Sequence, residues 1–222
     1  MDELKIKVLW PELSHTLAAP LLEKAEYPWE VLPQIKAFIL ALGEQLPEDE
    51  YEQREPGVWV ARDATVAPTA YLGAPCIIGH GAEVRHCAFI RGSALVGAQA
   101  VIGNSVELKN CILFDGVQVP HYNYVGDSIL GYRSHMGAGS ITSNVKSDKT
   151  NVTIHKDGVA FETGCRKMGA MLGDFVEVGC NSVLNPGTVI APHANVYPLS
   201  CVRGYVPANS IYKRQGEIVA KW

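Results

Sequence analysis

Nowhere in these 222 residues does an apolar run approach the roughly 18 positions that a membrane-spanning helix needs. The opening MDELKIKVLWPELS lacks the basic stretch, apolar core and small-residue cleavage site of a secretory leader. These absences predict a cytoplasmic protein with no membrane partner. Basic clusters are missing too: 19 Lys and Arg lie scattered against 23 Asp and Glu, for a formal net charge of −4. Such a chain offers no polyanion-binding surface, which removes nucleic acid from its expected partners. Its six cysteines, Cys76, Cys87, Cys111, Cys165, Cys180 and Cys201, include no C-x-x-C pair. Zinc-ribbon and thioredoxin-like chemistry therefore have no motif, and buried, reduced thiols are expected instead.

What the chain has in abundance is a period of six. Val60, Val66, Leu72, Ile78, Val84, Ile90, Val96, Ile102, Leu108 and Phe114 recur at that interval, and Leu172, Val178, Leu184, Ile190, Val196 and Val202 resume it. A 3.6-residue helix cannot produce this spacing, nor can simple strand alternation. A short strand plus a turn can, with one inward apolar residue per unit. Three such units close a triangular coil of about 18 residues that stacks on its neighbours. The count breaks at VPHYNYVGD, residues 119–127, where Val119 and Val125 fall one position short, as if the chain were shaped around His121 and Tyr124.

Ahead of the coils, residues 1–56 read as a helical lobe and linker. ELSHTLAAPLLEKA and PWEVLPQIKAFILALGEQL suggest two helices, the second with Leu32, Ile35, Ile39, Leu42 and Leu46 on one face, Pro33 near its start and Gly43 at its stop. PEDEYEQREPG, residues 47–57, is an acidic, Pro- and Gly-punctuated linker. Residues 57–222 form the repeat domain, interrupted at 145–170, where NVTIH and VAF flank the turn pair Asp157-Gly158 and predict an ejected loop or hairpin. The tryptophans Trp10, Trp29, Trp59 and Trp222 suit lobe packing and coil capping.

Stacking gives sequence separation a spatial meaning, since residues one coil apart lie about 4.8 Å from each other. Arg91 and Lys109 are 18 apart, and each follows the inward residue of its unit. Two cations stacked in register repel unless an anion lies between them, so the pair is either a chance feature of a solvated face or a phosphate grip. His121, 12 residues beyond Lys109, comes near the next edge of the triangle. His80 and His86, six apart, fall on adjacent faces, and no metal centre is expected.

The repeat resembles that of the hexapeptide-repeat acyltransferases, which implies a mainly β fold, a left-handed parallel β-helix. FIRGSALVGAQAVIGNSVELKN, VPHYNYVGDSILG and HMGAGSITSN carry a closer resemblance, to the acetyltransferase domain of bifunctional glucosamine-1-phosphate acetyltransferase/N-acetylglucosamine-1-phosphate uridyltransferases. It runs from about residue 75 to 144 and more loosely over 172–214. The resemblance implies that Arg91, Lys109 and Tyr124 hold a sugar phosphate, that His121 is the general base on the sugar amine, and that Asn144 positions sugar or thioester. It implies acetyl-CoA as co-substrate, with the Ala138 backbone near the acetyl carbonyl, Cys180 and Asn181 on the coenzyme, and Lys213 or Arg214 on its phosphates. A homotrimer with shared sites is implied too, and no metal.

The sequence departs from that family in several places. No uridyltransferase half precedes residue 60, so pyrophosphorylase activity is not expected of this chain. His135 stands where the family pattern has Asn, at a sugar-contacting position. On the loop, Lys146 or Lys149 are the approximate candidates for a phosphate-contacting lysine. Three readings follow: an N-acetyltransferase acting on an amino-sugar 1-phosphate, glucosamine-1-phosphate first, towards UDP-N-acetylglucosamine; an acyltransferase with another acceptor; or a non-catalytic trimeric sugar-phosphate or nucleotide-sugar binding partner of a separate nucleotidyltransferase.

Overall fold

A six-residue unit is too short to bury itself, so its strands find partners only in the coil above and the coil below. The computed structural model, which describes residues 2–221, shows this throughout the repeat. Its parallel ladders form three faces. The first runs through Val58–Ala61, Cys76–Ile78, Ala94–Val96, the end of Glu107–Leu113, the end of Tyr124–Leu130, Ala170–Leu172, Thr188–Ile190 and Tyr205–Val206. The second follows Tyr71–Leu72, Phe89–Ile90, the starts of the two seven-residue strands, Ile141–Thr142, Val183–Leu184 and Cys201–Val202. The third follows Thr65–Val66, Glu83–Val84, Val101–Asn104, Gln118–His121, His135–Met136, Glu177–Val178, Asn195–Val196 and Ser210–Arg214. Inward residues such as Ile78, Ile90, Ile102 and Leu172 are fully buried, each contributing about 1.5–3 kcal/mol. Val66 and Leu72, in the first coil with nothing stacked above, are only half-buried.

The count of six holds to Leu108 and then fails earlier than its spacing suggests. Leu108 pairs with Ile90, 18 back, but Cys111 pairs with Ala94 and Leu113 with Val96, 17 back. One residue is dropped at the corner that carries Lys109 and Asn110. Leu113 therefore takes the inward register, and Phe114 is buried instead against Trp10 of the lobe, with ring centroids 5.3 Å apart. Val119 and Val125 inherit the shift through 17-residue coils, so His121 and Tyr124 do not cause it.

The lobe differs from the expected pair of helices. Its first half breaks into Ile6–Leu9, a 3-10 turn at Leu13–His15 and Ala19–Leu22. The second is a 3-10 stretch, Pro28–Gln34, running into the α-helix Ile35–Gly43. Pro33 denies the first part a backbone donor, which fits the split. The helix ends at Gly43 as expected, and there the Trp59 ring lies only 2.4 Å from where a Cβ would stand. The expected linker is partly strand: Tyr51–Glu55 pairs antiparallel with Val58–Ala61. A second antiparallel pair, Ser210–Arg214 with Glu217–Ala220, closes the other end; Trp222 lies outside the described residues.

The lobe covers the first face. Ile77, Leu95, Ile112, Ile129, Met171 and Val189 pair in register as the alternate, outward residues of its strands, and all are fully buried. Trp10 Nε1 donates to the Leu172 carbonyl at 2.8 Å. The 145–170 segment contains the expected hairpin, Thr153–Lys156 with Val159–Glu162, turning at Asp157 and Gly158, both in the left-handed region. It does not stand free in solvent: Val152 and Ile154 are fully buried, and Phe161 packs on Tyr27 and Trp29. Around it the coil resumes in register, Ile129 pairing with Met171.

Candidate functional site

Arg91 and Lys109 stack in adjacent coils as their separation requires, the Arg91 N–H donating to the Leu108 carbonyl at 2.9 Å. Each cation has its own carboxylate. Arg91 Nη1 reaches Glu107 Oε1 at 2.8 Å, and Lys109 Nζ lies 3.1 Å from both oxygens of Asp127. Asp127 is only 4% exposed and also accepts from Asn110 Nδ2 at 2.8 Å and Asn144 Nδ2 at 2.5 Å. Its φ of +47° puts it in a left-handed turn, which Asp tolerates better than most residues. The corner thereby aims one carboxylate at three donors.

Asn144 continues the network to the Tyr124 hydroxyl at 3.2 Å. Burial pushes the Tyr124 phenol above its ordinary value, so at neutral pH it keeps its proton and can donate to an anion. Its ring lies over Gly126, where a Cβ would stand 2.3 Å from the hydroxyl oxygen. Arg91, Lys109, Tyr124 and Asn144, four of the expected substrate residues, thus form one cluster on the second face.

His121 ends its strand at the corner between the third and second faces, with its side chain exposed. Asn123 fixes that corner: 2% exposed, it accepts the His121 N–H at 3.1 Å and donates to the Gly137 and Ser140 carbonyls at 2.8 and 3.1 Å. Below His121 the ladder aligns Met136, Val178, Val196 and Tyr212. The residues following those strands share one edge: Ala138, then Cys180, and at the end Lys213 and Arg214. The Gly139 N–H donates to the His121 carbonyl at 3.0 Å, and the Asn181 N–H to the Ala138 carbonyl at 2.8 Å. Four coil steps of about 4.8 Å make this edge about 19 Å long from His121 to Lys213. Both terminal cations touch Glu217, Lys213 at 3.5 Å and Arg214 at 2.7 Å.

Other expected residues lie apart. His135 pairs with Gln118 at the opposite edge of the third face, and its Nδ1 is 2.8 Å from Glu177 Oε2. There it lines a polar groove of about 450 Å³ with Gln118, Arg133 and Glu177. Lys146 is tied into its own loop by Thr150 and Asp148. The loop backbone nevertheless returns to the cluster, the Met168 N–H donating to the Asn144 carbonyl and the Gly169 N–H to that of Asp127. His80 lies between Asp63 and Glu50. Of the cysteines, Cys76 and Cys111 are fully buried, Cys165 is half-buried, and Cys87, Cys180 and Cys201 are exposed, so the expected burial holds for only part of the set.

Sequence reading missed Glu107, Asn110, Asn123 and Asp127. A signal for Asp127 was available, because it stands 17 or 18 residues from Asn110, Asn144 and Lys109, the coil spacing already applied to the cations.

A family profile described as the GMPPB C-terminal domain matches residues 74–200. The bifunctional sugar-1-phosphate nucleotidylyltransferase/acetyltransferase of Sulfurisphaera tokodaii is 32% identical over 102 residues, which is 46% of this chain and 25% of that one. The bifunctional protein GlmU of Methanococcus vannielii is 29% identical over 158 residues, covering 71% of this chain and 34% of that one. The matches thus cover about a quarter to a third of these curated relatives' length. A hexapeptide transferase family protein from Anaplasma phagocytophilum aligns with a TM-score of 0.42 at 16% identity, over 75% of this chain and 81% of that one.

Proposed function

The chain belongs to the GMPPB C-terminal domain family, and from that premise we propose that it is an acetyl-CoA-dependent N-acetyltransferase whose acceptor is an amino sugar bearing a phosphate at C1. The carrying observation is the adjacency of two things. One edge presents His121 above Ala138, Cys180, Lys213 and Arg214 over about 19 Å, a length suited to an extended coenzyme arm. The neighbouring face holds Lys109, Tyr124 and Asn144 in one network joined through Asp127, with Arg91 beside it on Glu107.

In this reading the sugar phosphate is gripped on the second face, which brings the amine towards His121. Its nitrogen attacks the thioester carbonyl carbon as His121 accepts a proton, the C–N bond forms, the C–S bond breaks, and the coenzyme leaves as a thiol once His121 passes that proton to its sulfur. An imidazole titrates near neutral pH and is suited to that exchange. Anchoring both substrates supplies the proximity, and in this reading the Ala138 amide would donate to the developing oxyanion.

The test is to incubate the protein with acetyl-CoA and glucosamine-1-phosphate and to weigh the sugar product by mass spectrometry, with glucosamine-6-phosphate and His121→Ala as controls. An N-acetylated 1-phosphate that disappears in folded His121→Ala supports the reading. Full activity in His121→Ala removes the base, and binding without turnover between about pH 6 and 9 leaves a sensor rather than an enzyme.

A further inference from the structure

The second face carries two rings that neither the coil core nor the cluster accounts for. Tyr71 and Phe89 are outward neighbours in the ladder Tyr71, Phe89, Glu107, 60% and 44% exposed, with centroids 5.5 Å apart. Phe89 and Arg91 flank the inward Ile90, so both side chains emerge on the outer side. Glu107, the ladder partner of Phe89, is the carboxylate that Arg91 contacts at 2.8 Å. An exposed aromatic pair therefore flanks the cationic cluster on the side away from Asn144. Beyond Tyr71 opens a hollow of about 290 Å³, lined by Arg54, Val66, Pro68 and Leu72.

The charges in the cluster bear on the same question. Arg91 faces Glu107, and Lys109 faces Asp127, so cations and carboxylates balance. A phosphate monoester and the diphosphate of a sugar nucleotide each carry close to two negative charges at neutral pH, so this balance does not separate them, and the choice between them rests on the rings.

We propose that the acceptor is an amino sugar linked to a nucleoside diphosphate, with its diphosphate along Arg91 and Lys109 and its base stacked on Phe89 and Tyr71. This refines the acetyltransferase reading of the same face and rests on it. One coil step of about 4.8 Å separates Tyr71 from the level of Arg91 and two from that of Lys109, a reach that suits the nucleoside end of such a substrate. Every base has a π-face, so the platform selects for a base without specifying which one.

Titration calorimetry on the full chain tests this with UDP, GDP, dTDP and glucosamine-1-phosphate as separate probes, in wild type, Phe89→Leu and Tyr71→Leu. Leucine keeps the apolar bulk and removes the ring. The expected result is that at least one nucleoside diphosphate binds, that Phe89→Leu weakens it about tenfold or more, and that glucosamine-1-phosphate affinity is unchanged in that variant. Absence of nucleoside diphosphate binding, or equal affinity in wild type and both variants, overturns the proposal. So does a change of sedimentation mass with unaltered nucleotide affinity, which would assign the rings to contact with a second copy. Acetylation of glucosamine-1-phosphate without nucleotide binding removes this inference and leaves the reaction; ring-dependent nucleotide binding without transfer to any amino sugar removes the reaction and leaves the platform.

Discussion

Asp127 is the residue on which the cluster depends most, because Lys109, Asn110 and Asn144 all donate to it. Removing it in Asp127→Ala is expected to cost about 2–4 kcal/mol in denaturant unfolding, through three lost bonds and a lysine left without its counter-ion. Asp127→Asn keeps the shape and loses the charge. In that variant KM for the sugar phosphate is expected to change by about tenfold while the pH dependence of kcat stays in place; a shifted profile would mean that Asp127 acts on the proposed base. The sequence offered Arg91, Lys109, His121, Tyr124 and Asn144 through spacing and resemblance. It did not offer Asn123, whose role depends on how a corner turns rather than on any strand period, while Asp127 lay within reach of the same coil spacing that picked out the cations. Asp174 makes a different kind of prediction. Burial pushes its carboxyl up to about 6, although it accepts the Tyr132 N–H at 2.8 Å and lies near His15 and Glu12. A carboxyl raised in the folded state does no harm below about pH 4 and costs stability as pH climbs through about 6. Asp174→Asn, which retains an acceptor oxygen, is expected to be more stable at pH 7 by on the order of 2 kcal/mol, with the gain gone near pH 4 in paired denaturant melts.

Among the elements, the lobe has the largest consequence for stability. Its strip of the first face is a ladder of fully buried Ile77, Leu95, Ile112 and Ile129. Trp10→Ala removes a fully buried ring, its contact with Phe114 and the bond to Leu172, and is expected to cost about 3–5 kcal/mol and lower the melting temperature. Dye binding to newly exposed apolar surface should rise with it; an unchanged melt would mean that the lobe is held elsewhere. The coils were legible because one inward residue every six positions leaves a mark in any sequence. The second ladder was equally present, as the middle residue of VWV, CII, ALV, CIL, SIL and AML, but it emerges only once the 17- and 18-residue coils are placed in register. The strand at Tyr51–Glu55 escaped because the polar YEQRE run reads as linker, although Pro56-Gly57 joins it to Val58–Ala61 as a local hairpin.

At the scale of the whole molecule, the lobe occupies one of three faces and leaves two for contact between copies. A trimer of 24.1 kDa chains should sediment near 72 kDa, and a monomer mass at working concentration would remove the shared-site arrangement. Both ends of the coil stack meet antiparallel strands, Tyr51–Glu55 at one and Glu217–Ala220 at the other. A stack of parallel strands is in principle an open-ended polymer, since each new coil offers the next molecule the same template. The reversed strand changes that template on one face at each end, the first face at Tyr51–Glu55 and the third at Glu217–Ala220, which hinders one molecule from seeding another there. Cutting the chain at Gly216 would strip one of these stoppers and is expected to promote fibre formation, visible as concentration-dependent thioflavin fluorescence. A limit on end-to-end growth, in this fold, begins at its final strands.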